Sequence, residues 1–169
     1  MIKLIFIFTI LFALDNLLVI FLPLQPIVGQ YIIIPNVFLT CLCIFAFFDK
    51  KNKAFILALV FGIFYDLYYT NLIGLHVALF PLLVMTLKKW IVPNTPINFL
   101  SMFYITSVAI IIGEWFHYFM VVTIMDIQMT FFHFAQYILF ISVLFNAILL
   151  IPLYPLLTKA FKKYSAKLE

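Results

Sequence analysis

Several ionisable side chains lie inside long apolar runs of this sequence, where chemistry would have to proceed without bulk water. They are Asp15, Asp66, His76, Glu114 and His117. A charged group at membrane depth is costly unless it faces protein or water, so such residues form proton relays or hydrogen bonds between helices. A relay through Asp66, His76, Glu114 and His117 is one hypothesis. Hydrogen bonding that holds helices together is the favoured one.

The residue inventory argues against an enzyme. The sequence has no Gly-rich phosphate loop, no His-Glu-x-x-His pair, no nucleophile elbow and no arginine. Cys41 and Cys43 are two positions apart on a predicted helix, so their side chains diverge and suit neither a disulfide nor a metal site. We therefore expect no nucleotide-driven chemistry, no cofactor, no metal and no nucleic-acid partner. An intramembrane enzyme built around Glu114 and His117 is the remaining alternative of this class.

A stripe of small residues leads to Asp66. Ala54, Ala58, Gly62 and Asp66 recur every four residues, which keeps them near one face of a helix. Because small residues let another helix approach closely, the stripe is interpreted as internal packing that shields Asp66 from lipid. A docking face for a partner's helix is the alternative. Gly62→Leu or Gly74→Leu is then expected to disrupt partner association or shape, and Asp66→Asn to have a milder effect.

Glu114 lies on a second polar face, which it shares with Ser107 and Tyr118. Further polar residues within the apolar runs are predicted to form hydrogen bonds between helices: Asp15, Asn16, Ser142 and Asn146. Combined with the small-residue stripe, these patterns give the candidate residues for helix packing or a partner interface. They are Ala58, Gly62, Asp66 and Glu114.

Composition decides the fold class. Of 169 residues, 67% are hydrophobic and 9% charged, so polar groups could not cover the surface of a compact soluble domain. Long apolar runs favour membrane-spanning helices over a barrel, which needs alternating strands. We predict one all-α integral membrane domain, residues 1–169, with six transmembrane helices. The predicted spans cover residues 4–22, 31–48, 54–69, 72–87, 99–123 and 131–157.

Lysines fix the predicted orientation. All ten fall at the amino terminus or after the second, fourth and sixth runs, and cytoplasmic loops collect such residues. Six spans with both termini cytoplasmic place every lysine on the cytoplasmic side of the membrane. The net charge of +4 then indicates contact with anionic membrane lipids.

The third and fourth runs leave one topological alternative open. Each has about 16 residues, or about 24 Å of helix, against a hydrocarbon core of about 30 Å. Both ends of this pair are flanked by lysines, so a re-entrant hairpin at residues 54–87 satisfies the charge rule as well as two full spans do.

A segment of about 18 residues carries a family resemblance. It reads Gly62-x-x-x-Asp66-Leu67-Tyr68-Tyr69, then four residues, then Gly74-Leu75-His76-x-Ala78-Leu79. Pro35-Asn36 precedes it at the head of the second span, and a basic loop lies at residues 50–53. With this segment and six expected spans, the chain resembles the rod shape-determining protein MreD family, although the lack of arginine is a departure from it.

The resemblance implies a non-enzymatic membrane scaffold of the bacterial cell elongation machinery, involved in cell shape and peptidoglycan synthesis. Expected partners are the bitopic protein MreC and the cell-wall glycosyltransferase and transpeptidase. The family's Gly-Asp-Leu segment corresponds to Gly62, Asp66 and Leu67, and its second glycine to Gly74. The resemblance thereby adds Gly74 to the candidate residues for helix packing or a partner interface.

The resemblance also implies a fold like that of the substrate-binding components of energy-coupling-factor transporters. A vitamin-binding component of such a transporter is therefore the alternative function. It is less favoured because the first span has a single alanine, Ala13, where those proteins usually carry an Ala-x-x-x-Ala pair.

Overall fold

The computed structural model describes residues 2–21, 32–70, 74–124 and 128–165, and every regular element among them is helical. Apolar residues form helices in lipid because a helix satisfies its own backbone hydrogen bonds. The helices are α1 (Ile2–Phe21), α2 (Val37–Phe48), α3 (Lys53–Tyr65), α4 (Leu75–Asn94), α5 (Phe99–Ile124) and α6 (Phe131–Ser165). Wide turns of π type follow α3 at Asp66–Thr70 and interrupt α4 at Leu87–Ile91 and α6 at Ala135–Leu139.

The all-helical prediction is confirmed for the described residues, and several boundaries are corrected. The second predicted span, 31–48, becomes helical only at Val37, because Ile32–Asn36 is extended and makes its hydrogen bonds elsewhere. The fourth and sixth helices run past the predicted ends at residues 87 and 157, to Asn94 and Ser165. The predicted turns at residues 23–30 and near Asp126 fall outside the described residues.

By length and composition, the described residues contain four helices able to cross a membrane. They are Lys3–Ile20, Leu75–Asn94, Phe99–Ile124 and Phe131–Ser165. Helix α2, with 12 residues, is shorter and apolar. At about 1.5 Å per residue it is about 18 Å long, well under a hydrocarbon thickness of about 30 Å.

The chain divides into two compact units. The first comprises residues 1–38 and 107–151, and the edge-to-face packing of Phe8 on Phe38 contributes to its core. The second comprises residues 39–106 and 152–169. In that unit α3 packs along α4, and the ring of Phe45 lies 5.0 Å from that of Phe161.

Lysine-bearing segments meet at one end of the second unit. The Lys88 ammonium donates to the Asp49 carboxylate at 3.0 Å and to its backbone carbonyl at 2.8 Å. The Lys53 ammonium donates to the Tyr164 hydroxyl at 2.7 Å. The loop after α2, the end of α4 and the end of α6 therefore share one end, as the lysine pattern requires.

Asp49 organises this end by capping α3. Its carboxylate accepts from the backbone N–H of Lys51 at 3.1 Å and of Ala54 at 2.9 Å, while its side chain is 2% exposed. Burial raises the pKa of Asp49, but hydrogen bonds from Ala54, Lys88 and the backbone of Lys51 and Lys53 outweigh it and hold the pKa below its ordinary value.

We predict that Asp49→Asn lowers the free energy of unfolding by about 1–3 kcal/mol at pH 7, because a buried charged partner is lost. A pKa lowered by folding stabilises the protein fully above about pH 4, and that contribution disappears as the pH falls through the folded-state pKa. Thermal unfolding in detergent should therefore show a difference between variant and parent that shrinks at about pH 3. An equal difference at both pH values would contradict this role.

Candidate functional site

Asp66 joins the end of α3 to the start of α4. One carboxyl oxygen accepts from the backbone N–H of Gly74 at 2.7 Å and of Val77 at 3.3 Å. The other accepts from the His76 backbone N–H at 2.7 Å and lies 2.9 Å from His76 Nδ1. The first N–H groups of a helix have no partner inside it and carry partial positive charge. Asp66 therefore caps α4, and it is fully buried there.

The two glycines flanking Asp66 are required for different physical reasons. A Cβ atom added at Gly62 would lie 2.8 Å from the backbone oxygen of His76 and 2.8 Å from Val77 Cα. Gly74 has a φ of 137°, a conformation that side chains disfavour, although a Cβ atom there would meet nothing within 4 Å. Gly62 thus permits close helix approach, and Gly74 permits the turn.

The small-residue stripe of α3 lies in the interior of the second unit. Ala54 and Ala58 are fully buried, and Gly62 touches the first turn of α4. The contacts support internal packing that shields Asp66 from lipid. Gly62 itself is covered by the first turn of α4 and leaves no space for a second helix.

His76 is held by its neighbours as well as by Asp66. Its ring lies 5.4 Å from that of Tyr65 and 5.1 Å from that of Phe80. Asp66 and His76, two members of the hypothetical relay, are thus in direct contact. Since the carboxyl group is shared among three backbone N–H groups and the imidazole, this pair acts as a structural clamp. We refer to Asp66, Gly62, Gly74, His76 and Val77 as the hairpin clamp.

A second carboxylate, Asp15, caps α2 from α1. Its two oxygens accept from the backbone N–H groups of Val37 at 2.8 Å and Phe38 at 2.9 Å, and the residue is 1% exposed. As in the hairpin clamp, a buried carboxylate binds the first N–H groups of a helix. Here the acid and the helix it caps are far apart in sequence. The prediction that Asp15 forms a hydrogen bond between helices is confirmed for the segment that begins α2.

The extended residues before α2 are bound by α6. Asn146 accepts from the Asn36 backbone N–H at 2.7 Å and donates from its amide to the Ile34 carbonyl at 2.8 Å. The Ser142 hydroxyl accepts from the Ile34 N–H at 2.9 Å. Backbone polar groups outside a helix are tolerated in lipid only when protein satisfies them, and these two side chains do so. Their predicted role in hydrogen bonding is confirmed.

The wide turn in α6 contributes a further bond to the same segment. The Ile32 N–H donates to the Tyr137 carbonyl, which lies within the turn Ala135–Leu139, at 3.0 Å. Wide turns of this kind in helices often occur at functional sites. Here the turn holds a segment of backbone beside the helix.

Glu114 completes this set, which we call the Asn36 cluster: Asp15, Asn36, Glu114, Ser142 and Asn146. Its Oε1 accepts from the Asn36 side-chain amide at 2.8 Å. Glu114 is 5% exposed, and its buried Oε2 has no hydrogen-bond partner within the described part of the chain. Within the described residues, Glu114 therefore keeps one carboxyl oxygen, Oε2, that accepts no hydrogen bond.

Sequence reasoning missed the central position of Asn36, which bonds through both its backbone and its side chain. The available signal was Pro35-Asn36 itself: a proline that disfavours helix before it, followed by a residue that favours helix starts.

Asn16, predicted to bond between helices, donates to the Phe12 carbonyl of its own helix at 2.9 Å. Residues 2–21, 32–70, 74–124 and 128–165 contain no group of three His, Cys, Asp or Glu side chains placed to hold a metal ion.

Comparison with known proteins gives one match. The family model described as rod shape-determining protein MreD matches residues 1–164 of the 169-residue chain. No curated protein and no solved structure matches the chain.

We predict that Gly62→Ala and Asp66→Asn each destabilise the hairpin clamp by about 1–3 kcal/mol. The alanine methyl would meet backbone atoms that cannot move aside, and the asparagine amide could not accept the N–H groups now bound to one carboxyl oxygen. The sequence pattern predicted a milder effect of Asp66→Asn than of Gly62→Leu on partner association; the hydrogen bonds of Asp66 predict a loss of stability as well. Unfolding in detergent measures the loss, with the half-exposed Ile63→Leu as control. Asp66→Asn matching the control would refute the clamp.

We predict that Asn146→Ala destabilises the protein by about 1–3 kcal/mol, because it leaves the part-buried Asn36 N–H without its acceptor. The Ile34 carbonyl loses one donor and keeps the Asn36 side-chain amide. Thr9→Ala is the matched control, since the exposed Thr9 hydroxyl bonds within its own helix to the Ile5 carbonyl. Hydrogen exchange followed by mass spectrometry should show faster exchange at residues 34–38 in Asn146→Ala alone. Unchanged exchange there would contradict the role assigned to Asn146.

Proposed function

Because the chain belongs to the rod shape-determining protein MreD family, we propose that it is a non-enzymatic scaffold of the bacterial cell elongation machinery in the plasma membrane. The observation that carries the proposal is the family match over residues 1–164. A scaffold of this kind would recruit MreC and, with it, the glycosyltransferase and transpeptidase that build lateral peptidoglycan. The four helices long and apolar enough to cross a membrane support the location.

The chemistry of the described acids supports a structural role. Asp15, Asp49 and Asp66 each accept hydrogen bonds from backbone N–H groups at the start of a helix. A carboxylate committed in this way holds elements in place, whereas a catalytic group must face a substrate. These acids therefore favour a rigid component that works by binding other proteins.

The proposed topology has six spans, with both termini in the cytoplasm and a fold like that of energy-coupling-factor substrate-binding components. The bond from Lys53 to Tyr164 supports it, because the loop after α2 and the end of α6 must then lie on one side of the membrane. In this topology, α2 and the extended residues before it together form the second crossing.

The experiment is a detergent pull-down with a tagged full-length chain from its native bacterium, combined with depletion of the chain. We expect recovery of MreC and of cell-wall synthases, and loss of rod shape on depletion. Thr9→Ala should restore both shape and recovery, whereas Asp66→Asn, expressed at the same level, should restore them poorly. Recovery of an ATPase-coupled transmembrane subunit in place of MreC would overturn the scaffold and favour a transporter.

A further inference from the structure

A groove lies on the second unit between the first turn of α3 and the last turns of α4. Its volume is about 690 Å³, within the range of roughly 300–1,000 Å³ typical of ligand sites. Phe55, Leu82 and Met85 supply apolar walls. Asn52, Lys88 and Lys89 supply polar groups from the lysine-bearing end. The groove is therefore amphipathic along its length.

The two lysines of the groove have different roles. Lys88 donates to the Asp49 carbonyl, the Asp49 carboxylate and the Asn52 side-chain oxygen, which uses the three donors of an ammonium group. The charge of Asp49 is thereby balanced by Lys88. Lys89 is exposed, and its ammonium lies 5.1 Å from the centre of the Trp90 ring. Lys89 thus gives the mouth of the groove a net positive charge.

Trp90 indicates the depth at which this charge lies. Its side chain is 65% exposed, and tryptophan concentrates where hydrocarbon meets the headgroup region. Leu82 and Met85 precede it by about two helical turns and about one, respectively, and are 60% and 54% exposed. An occupant must therefore place an anion beside Lys89 and a hydrocarbon chain against Leu82 and Met85.

We propose that this groove binds the headgroup and one acyl chain of an anionic phospholipid. The phosphate accepts hydrogen bonds from Lys89 and from the Asn52 amide, and the chain follows Met85 and Leu82 past Phe55. Basic pockets between helices at the cytoplasmic face recognise anionic headgroups by this chemistry. The site is separate from the hairpin clamp and from the Asn36 cluster, and it does not depend on the proposed scaffold function.

The test uses the full-length chain in nanodiscs containing equal amounts of phosphatidylglycerol and phosphatidylcholine. After transfer to detergent, native mass spectrometry counts the lipids retained. We expect preferential retention of phosphatidylglycerol by the parent protein and about a fivefold weaker preference in Lys89→Gln, as expected for one surface lysine. Lys163→Gln is the matched control, because it removes the same charge from an exposed lysine of α6.

Met85→Trp separates the groove from diffuse surface charge, since it fills the apolar wall and leaves the charge unchanged. Retention of phosphatidylglycerol should fall in Met85→Trp as well as in Lys89→Gln, while the thermal unfolding of both variants without lipid stays near that of the parent. Equal losses in Lys163→Gln and Lys89→Gln would overturn the proposal. Undiminished retention of phosphatidylglycerol in Met85→Trp would also overturn it. The same holds if Met85→Trp loses a co-purifying protein while its lipid retention stays unchanged.

Discussion

A carboxylate at the start of a helix is the interaction on which the rest of this structure depends. The first N–H groups of a helix have no partner within it, and the hydrocarbon region offers no water to replace one. Asp15, Asp49 and Asp66 supply the missing acceptors to α2, α3 and α4 respectively. Each bond also places a negative charge at the positive end of a helix dipole. Each acid thus stabilises the start of a helix, and the helix dipole in turn stabilises the charged form of the acid.

This constraint explains how the chain tolerates a non-helical segment before α2. Helix α2 begins at Val37, and the preceding residues Ile34–Asn36 run extended beside α6. Ser142 and Asn146 satisfy that backbone from α6, so the irregular segment is lined by protein. Glu114 differs from the three aspartates, because it binds the Asn36 side chain and keeps one oxygen unused among the described residues.

The same hydrogen bonds hold some residues in the interior, where another protein could not reach them. Gly62 and Asp66, two of the residues that carry the family resemblance, are buried against α4 and preserve the α3–α4 hairpin. Other residues of the same segment are exposed: Leu67, Tyr68 and Tyr69. Recognition must use exposed side chains, of which Trp90 and Met85 at the lysine-bearing end are examples. A rigid interior with a large apolar surface suits a family whose members determine cell shape.

The sequence by itself determined the membrane class, the helical content and the meeting of lysine-bearing segments at one end. It also pointed to close packing at Gly62. These features follow from composition, run length and four-residue spacing, which are local properties of the chain. Tertiary structure alone decided which N–H groups each acid binds and where α2 starts. Asp15 lies 22 positions from Val37, and Asn146 lies 112 from Ile34, so no local pattern could pair them. In lipid, a donor and an acceptor can bond only if folding brings them close together, and the packing of the helices decides which groups meet.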